Sequence, residues 1–389
     1  MSKILSIVIP THERHEYIFP FIKAISSISD MVELVISDTS QNNKILEHYN
    51  NNLPPFIKLV RPGVGKTVVD NFNAGLSAAT GDYITFIGDD DFVSNEIISV
   101  VYWAKRNNVE TVGFTFPVEY FWPCFEHRRY KSSMSGILRI KEYSGRVSKL
   151  SPIKEFNHSF NDLGRGVLGM PRAYAGIISR ELANRIVNKH EYLFGGVSPD
   201  IYSSTLLSHY SKKSYLIDYP IIIPGASGKS TSGDSAKGKH IGGLTENNHL
   251  SLFKNLIWDK KVPEFYSVPT VWGYSQLKAI EKIDGHYDNK KLYSLYAKCF
   301  IKHSSYSNEI LSSLRLTSRE TGFFISLFLL LSGGFQELVF TIKKVFKVIN
   351  NRYLPSKAKV ITNIEDTCIA YEYLVGNKNN IKKLELDDV

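Results

Sequence analysis

Residues 71–92 of this 389-residue chain read NFNAGLSAATGDYITFIGDDDF. The segment 68–79 carries small and apolar residues at helical spacing, and Gly81 breaks the pattern ahead of a β-branched and aromatic run at 83–87 that suits a strand. Directly beyond that run stand three consecutive carboxylates, Asp89, Asp90 and Asp91. One acidic residue there would be ordinary turn chemistry. Three repel one another, and water, basic neighbours or a cation must offset them; a hard divalent ion with oxygen ligands suits the set.

Similar apolar runs occur at 4–9, 32–36, 57–60 and 111–116. Successive starts are roughly 25 residues apart, the room a strand–helix–strand crossover needs. Ser94 is placed to cap a helix running towards Asn107. The pattern predicts an α/β fold with a mostly parallel sheet covered on both faces. Polar signals follow three of the strands: Pro10 and Thr11 after the first, Asp38 after the second and the triplet after the fourth. Ligands of open parallel sheets bind at the carboxyl ends of the strands, so these distant residues are expected at one edge.

Further along, the chain divides into an N-terminal catalytic unit over 1–225, a loop over 226–248 and a mainly helical region over 249–389; the Gly/Ser/Lys-rich composition of 224–243 is expected to make a mobile loop. The apolar run at 323–331 is shorter than the roughly 20 residues a bilayer span needs, and Gly333 and Gly334 interrupt the pattern beyond it, so no span is expected. Past the two glycines Phe335, Leu338, Val339, Ile342, Val345, Phe346 and Ile349 share a helical face, with Lys343, Lys344 and Lys347 off it. The run at 323–331 together with this stretch suits either a core helix of the second domain or an anionic membrane surface. Residues from about 376 read as a frayed polar tail.

A net charge of +9 fits an anionic partner, and the absence of RNP-like aromatics, Cys/His fingers or basic heptads argues against nucleic acid. The three cysteines, Cys124, Cys299 and Cys368, are too far apart for a metal knuckle and are odd in number, which fits a reducing, cytoplasmic setting. Two P-loop lookalikes, Gly65-Lys66-Thr67 and Gly228-Lys229-Ser230, lack the first glycine, having Val60 and Ile223 there. The place after the first strand, occupied by Pro10 to Arg14, also lacks the glycines of a sugar nucleotidyltransferase or a nicotinamide enzyme. A catalytically silent, membrane-recruited scaffold is a further alternative, which the intact acidic triplet speaks against.

The opening Ser6-Ile7-Val8-Ile9-Pro10-Thr11, the segment Val35 to Ser40, and Asn73, Gly75, Leu76, Ala79, Gly81, Tyr83, Ile84 and Phe86 ahead of Asp89 to Asp91 together resemble family 2 glycosyltransferases of the GT-A fold. The resemblance implies an inverting, metal-dependent transfer of a sugar from a nucleotide diphosphate to a hydroxyl of a glycan or lipid-linked acceptor, as in bacterial O-antigen or capsule synthesis. It implies that Pro10, Thr11 and Asp38 hold the nucleoside, with Asn73 and Asp90 in the donor site, and that Asp91 and Asp89 face the diphosphate and a Mn2+ or Mg2+ ion. Gly88 stands where the family often has another acidic residue. The catalytic base is expected at Asp200, also well placed at a helix start after Ser198 and Pro199, with Glu191 as a weaker substitute. Lys229 and Lys239, in the cation-rich loop with His240, are expected to close over the diphosphate. On the acceptor side the candidates are Arg172 and Tyr174, with Trp122 and its aromatic neighbours Tyr120, Phe121 and Phe125 placed to stack on sugar rings.

Overall fold

The computed structural model describes residues 3–128, 132–230, 233, 238, 240–244, 247–353, 359–363, 365–376 and 383–387. The chain opens with β1 (Leu5–Thr11), α1 (Ile18–Ile25), β2 (Val32–Asp38), α2 (Lys44–His48), β3 (Ile57–Val60), α3 (Val68–Ala78) and β4 (Tyr83–Phe86). Three parallel pairings join these strands, so the order across the sheet is 3-2-1-4. The direction of winding therefore reverses between β1 and β4, and the crevice at a reversal is where open sheets take ligands. The register makes Thr11 the partner of Asp38 at the carboxyl ends of β1 and β2.

Beyond β4 the sheet extends through β10 (Ile177–Ser179), β6 (Thr111–Phe114), β11 (Ser214–Ile217) and β9 (Val147–Leu150), making eight strands. β10 and β9 run against their neighbours, while β6 and β11 are parallel. A short ribbon pairs β5 (Phe92–Val93) with β12 (Ile222–Ile223), and another pairs β14 (Ile241–Gly242) with β15 (Tyr266–Ser267). A small second sheet is ordered β13 (Gly225–Ala226), β7 (Val118–Phe121), β8 (Ile137–Ile140) and β16 (Lys359–Ile361).

Alternation along β1 explains why both faces are covered. Ile7 and Ile9 enter one core with Phe21 of α1 and with Val100 and Trp103 of α4 (Ile97–Arg106). Val8 enters another with Phe72 of α3, Leu182 of α6 (Arg180–His190) and Leu206 of α7 (Pro199–Tyr210). α3 starts where Thr67 and Asp70 exchange side-chain and backbone hydrogen bonds at 3.1 and 2.9 Å, a capping box. α4 starts later than expected: Ser94 accepts from the Ile97 amide through its backbone, and Glu96 is the capping residue.

A further core belongs to the helices Val268–Asp284, Leu292–Lys302 and Ser307–Thr321, and also draws in Phe156, Phe160 and Leu163 from α5 (Pro152–Asn161) and the turn after it. Against expectation, Gly333 and Gly334 do not interrupt the last long helix, which runs unbroken over Phe323–Tyr353. Gly333 is where this helix seats closely on its neighbour: a Cβ there would lie 3.1 Å from both the Ala297 Cβ and the Tyr293 carbonyl. Residues 383–387 are also not frayed. Leu384 and Leu386 pack on the first core, and the Trp103 indole donates to the Asp387 carbonyl at 2.8 Å.

Candidate functional site

The carboxyl edge gathers the residues the sequence singled out. The Thr11 hydroxyl donates to Asp89 Oδ2 at 2.8 Å, linking the end of β1 to the loop after β4. Asn71 of α3 donates to the Thr11 carbonyl at 3.1 Å, so helix and strand end are fixed together. Asp38, at the end of β2, accepts from the Ser40 amide at 2.9 Å and lies 3.0 Å from His15 Nε2 and 3.5 Å from Arg61. Burial alone would raise the Asp38 carboxyl, but the bonds from His15 and Ser40 outweigh it and hold the group below its usual range. Pro10 is half-buried at the same edge, in register with Ser37.

All three residues of the triplet are buried. Asp91 accepts from the Gly88 amide at 2.7 Å, from the Gly225 amide at 2.8 Å and from the Tyr174 hydroxyl at 3.3 Å. Asp90 accepts from the Ser227 amide at 3.0 Å, and its own carbonyl takes the Trp122 indole N–H at 3.0 Å. Between Asp89 and Asp90 lies the Arg14 guanidinium, with Nη2 at 2.8 and 2.9 Å from them and 2.9 Å from the Ser227 hydroxyl. Burial lowers an arginine, but the two aspartates more than compensate and Arg14 is raised. Among the described residues, one guanidinium against three carboxylates leaves an excess of buried negative charge. Burial, followed by the opposing Arg14 and the repulsion of Asp90, leaves Asp89 at about 7. Burial and Asp90 likewise push Asp91 up to about 6. Tyr174 is raised well above its ordinary value by burial and by the three carboxylates, so it stands as a neutral donor.

Residues 225–230 depart from expectation. This part of the Gly/Ser/Lys-rich stretch is docked: β13 pairs with β7, and its backbone amides close over Asp90 and Asp91. Only glycine fits at 225, because a Cβ there would sit 1.8 Å from the Asp90 carbonyl oxygen. Lys229 lies at the rim and pairs with Glu16 at 2.9 Å, both side chains about half exposed. Lys239 lies outside the described residues. The glycine at 88 also has a local reason: a side chain there would meet the Tyr174 hydroxyl at 2.9 Å and Asp91 Oδ2 at 3.1 Å.

Asp200 sits in the first turn of α7, half-buried, where it accepts from the Ser198 hydroxyl at 2.6 Å. The turn before it is pinned from two sides. Asn73 exchanges hydrogen bonds with the Phe194 backbone at 2.8 and 3.2 Å, while Ser275 accepts from the Val197 and Ser198 amides at 3.1 and 2.9 Å. Asn73 thus braces the segment that carries Asp200; its side-chain amide is engaged with backbone at Val69 and Phe194. Arg172 feels the Asp200 carboxylate, which opposes the lowering that burial imposes on the guanidinium, and it donates to the Leu168 carbonyl at 2.6 Å. Two residues on, Tyr174 touches Asp91, so the 172–174 segment spans from the triplet to Asp200. Glu191 does not join them: it caps α6 with a left-handed backbone (φ 73°), pairs with Lys282, and its side chain is 79% exposed. Trp122 is buried against Tyr17 and Tyr120, with its N–H on Asp90, so it walls the triplet rather than offering a free stacking face.

Arg14 and His15 were not among the sequence candidates for this site. Basic and imidazole groups directly after a strand that ends in Pro10 and Thr11 are the available signal, but nothing local says which way they turn. The oxygens here suit a divalent ion by type, and the surplus negative charge calls for a cation. No group of three or more His, Cys, Asp and Glu side chains is arranged to hold one among the described residues. A magnesium-type ion commonly takes one or two carboxylates and completes its shell with substrate phosphates and water, so Asp89 and Asp91 fit that role.

Residues 6–161 match the model of glycosyl transferase family 2. An uncharacterized glycosyltransferase of Haemophilus influenzae is 28% identical over 96 residues, covering 24% of this chain and 38% of the relative's own length. Among solved structures, Staphylococcus aureus TarS 1–349 in complex with UDP-GlcNAc superposes with a TM-score of 0.44 at 13% identity, covering 77% of this chain and 74% of that one. A second S. aureus TarS structure gives a TM-score of 0.43 at 11% identity, over 79% of this chain and 55% of that one. Thr11, Asp38 and the triplet fall inside the family match, whereas Tyr174, Asp200 and residues 225–230 fall outside it. The similarity to glycosyl transferase family 2 thus takes in residues 6–161, the part of the chain that carries β1 to β4 and the triplet.

Proposed function

We propose that the chain is an inverting glycosyltransferase that moves a sugar from a nucleoside diphosphate to a hydroxyl of a glycan or lipid-linked acceptor, in bacterial surface polysaccharide assembly at the cytoplasmic face of the membrane. What supports the reading most is one observation: Thr11, Asp38 and Asp89 to Asp91 converge on the carboxyl edge where the sheet reverses its winding.

In this reading Asp38, kept ionised, accepts hydrogen bonds from the base or ribose. Asp89 and Asp91 hold a Mn2+ or Mg2+ ion, which when bound neutralises charge on the departing nucleoside diphosphate. Arg14 supplies a fixed positive charge beside Asp89 and Asp90, and Tyr174 holds Asp91 in position. Asp200 takes the proton of the acceptor hydroxyl as it attacks the anomeric carbon from the face opposite the leaving group. Its mounting on a braced helix start keeps that carboxylate from drifting. Lys229, paired with Glu16 beside this edge, adds positive charge towards the diphosphate.

The test is release of nucleoside diphosphate by the purified protein with Mn2+ or Mg2+, a panel of sugar nucleotides and glycan acceptors. Asp91→Asn is expected to lower turnover at least about a hundredfold, the scale of losing one preorganised electrostatic group. Turnover at the wild-type level in that variant removes the metal assignment.

A further inference from the structure

The long helix Phe323–Tyr353 turns Gly333, Glu337, Phe340 and Lys344, which share one helical face, towards the rest of the protein. By length and composition alone its segment Phe323–Phe346 could cross a bilayer, where no span was expected. This side is nevertheless tied down: Gly333 seats on Ala297, and Glu337, 1% exposed, pairs with Arg165 and lies 2.7 Å from Lys302. Between this face, the helices Val268–Asp284 and Leu292–Lys302 and the turn after α5 opens a cavity of about 560 Å3. Its lining includes Arg165, Trp272, Lys298, Lys302, His303 and Lys344, and shares no residue with the edge that holds Thr11, Asp38 and the triplet.

Two of these cations are spent on the protein itself. Arg165 donates to Asp162 at 2.8 Å and also to Glu337. Lys298, 2% exposed, uses its three N–H groups on the Asp162 carboxylate at 2.7 Å and on the carbonyls of Asp162 and Leu163 at 3.2 and 2.8 Å. Burial lowers Lys298 to about 8 against the pull of Asp162, so it stays mostly charged at pH 7. Among the described residues Asp162 and Glu337 are the carboxylates paired with this group, which leaves two of the four charges on Arg165, Lys298, Lys302 and Lys344 uncompensated. A phosphate monoester, at about −1.5 to −2 near pH 7, matches that surplus.

The polar groups of this wall with bonds still to make are donors. Lys302 has one of its three N–H groups on Glu337, and Lys344 has no hydrogen-bond or ion-pair partner among the described residues. The chain has four tryptophans. The indoles of Trp103, Trp122 and Trp258 donate to backbone carbonyls at 2.8, 3.0 and 3.0 Å, whereas that of Trp272 has no acceptor among the described residues. A half-buried indole N–H ordinarily finds one. Gly166 helps fix the ring: a Cβ there would lie 2.8 Å from Cζ3, on the six-membered edge away from the N–H. Unfilled donors beside surplus positive charge call for an oxyanion. The space is larger than a bare phosphate and falls in the range of sites for small organic ligands.

We propose that this cavity binds a small organic phosphate monoester, with Trp272, Lys302 and Lys344 as the donors to its phosphate and Arg165 and Lys298 as the buried charge behind them. The site is separate from the donor edge and does not depend on the transfer chemistry. It is tested by calorimetric titration of the full chain, in EDTA, with glucose 1-phosphate, glycerol 3-phosphate, inorganic phosphate and glucose. At least one of the two esters is expected to bind about tenfold or more tightly than inorganic phosphate. Glucose is expected to bind about a hundredfold or more weakly than that ester, the scale of losing two charge-assisted hydrogen bonds. Lys302→Gln with Lys344→Gln is expected to weaken the ester at least about tenfold. Trp272→Phe, which keeps a ring but removes the N–H, is expected to weaken it about fivefold, each variant with an unchanged circular dichroism spectrum. Asp38→Asn, at the donor edge, is expected to leave its affinity within about twofold. Inorganic phosphate binding as tightly as both esters would make this a site for free anion only and overturns the proposal. So does the failure of both esters to bind, wild-type affinity in Trp272→Phe, or a loss in Asp38→Asn equal to that of the lysine variant. Because the readout is binding without metal or sugar nucleotide, failure here leaves the transferase reading standing, and absence of turnover leaves this binding intact.

Discussion

Replacing Arg14 by methionine probes the electrostatics of the site most sharply. The substitution keeps much of the side-chain bulk but removes the guanidinium that bridges Asp89 and Asp90 at 2.8 and 2.9 Å. Breaking a buried pair from one side costs about 3–5 kcal/mol, because the remaining charge is left uncompensated. Arg14 is 19% exposed, against 3% and 7% for its partners, so the lower end, about 3 kcal/mol, is expected at pH 7.5 without divalent ions. For domains of this size that corresponds to a fall in Tm of roughly 6–12 °C. At pH 5.5 the loss should shrink, since Asp89 titrates at about 7 and Asp91 at about 6, and protonation relieves the repulsion that Arg14 otherwise offsets. Thermal melts of wild type, Arg14→Met and Arg14→Lys in EDTA at both pH values measure this, with the lysine variant intermediate. A methionine variant that melts within about 1 °C of wild type at pH 7.5 would refute the reasoning.

The same geometry sets two other outcomes. Asp200→Asn should leave donor affinity within about twofold while lowering the transfer rate by about 10²–10⁴, the usual loss with a positioned base; single-turnover measurements separate the two quantities, and an equal fall in both would assign Asp200 to binding instead. The contribution of Asp89 and Asp91 to the stability of the metal-free protein should fall as pH rises from about 4 to about 7, opposite in sign to that of the lowered Asp38, His190 and His303. Asp89 and Asp91 have native values raised from 3.8 to about 7 and about 6, so the native state holds more protons than the unfolded state across that window. Urea midpoints of wild type and an Asp89→Asn, Asp91→Asn double variant in EDTA check the sign: the variant should gain relative to wild type as pH rises, and a constant or shrinking difference would contradict it.

The parts of the fold legible in the sequence are those set by local periodicity. The strands at 32–38, 57–60 and 83–86, and the helix that begins at Val68, lie where apolar spacing puts them, because those residues face a core within their own element. The shared edge of Thr11, Asp38 and the triplet was legible too, since parallel winding brings strand ends together. The closure of the site was not. The Gly225 and Ser227 amides reach Asp91 and Asp90 across 134 and 137 residues, and Arg14 reaches Ser227 across 213, separations on which no local pattern bears. Glycine-rich composition at 224–243 reads as mobility, whereas at Gly225 the glycine is required by close approach to Asp90. The same ambiguity affected Gly333, read as a break but placed where two helices touch.

The measurement that bears most directly on the central claim is calorimetric titration of a panel of sugar nucleotides into the wild type and Asp38→Asn, each with and without Mn2+. The account predicts that a sugar nucleotide binds the wild type more tightly with the ion present, and that the asparagine variant weakens that binding about tenfold or more, as expected for hydrogen bonds to a charged group. Failure of every sugar nucleotide to bind the folded protein, or an affinity unchanged in the variant, would contradict it.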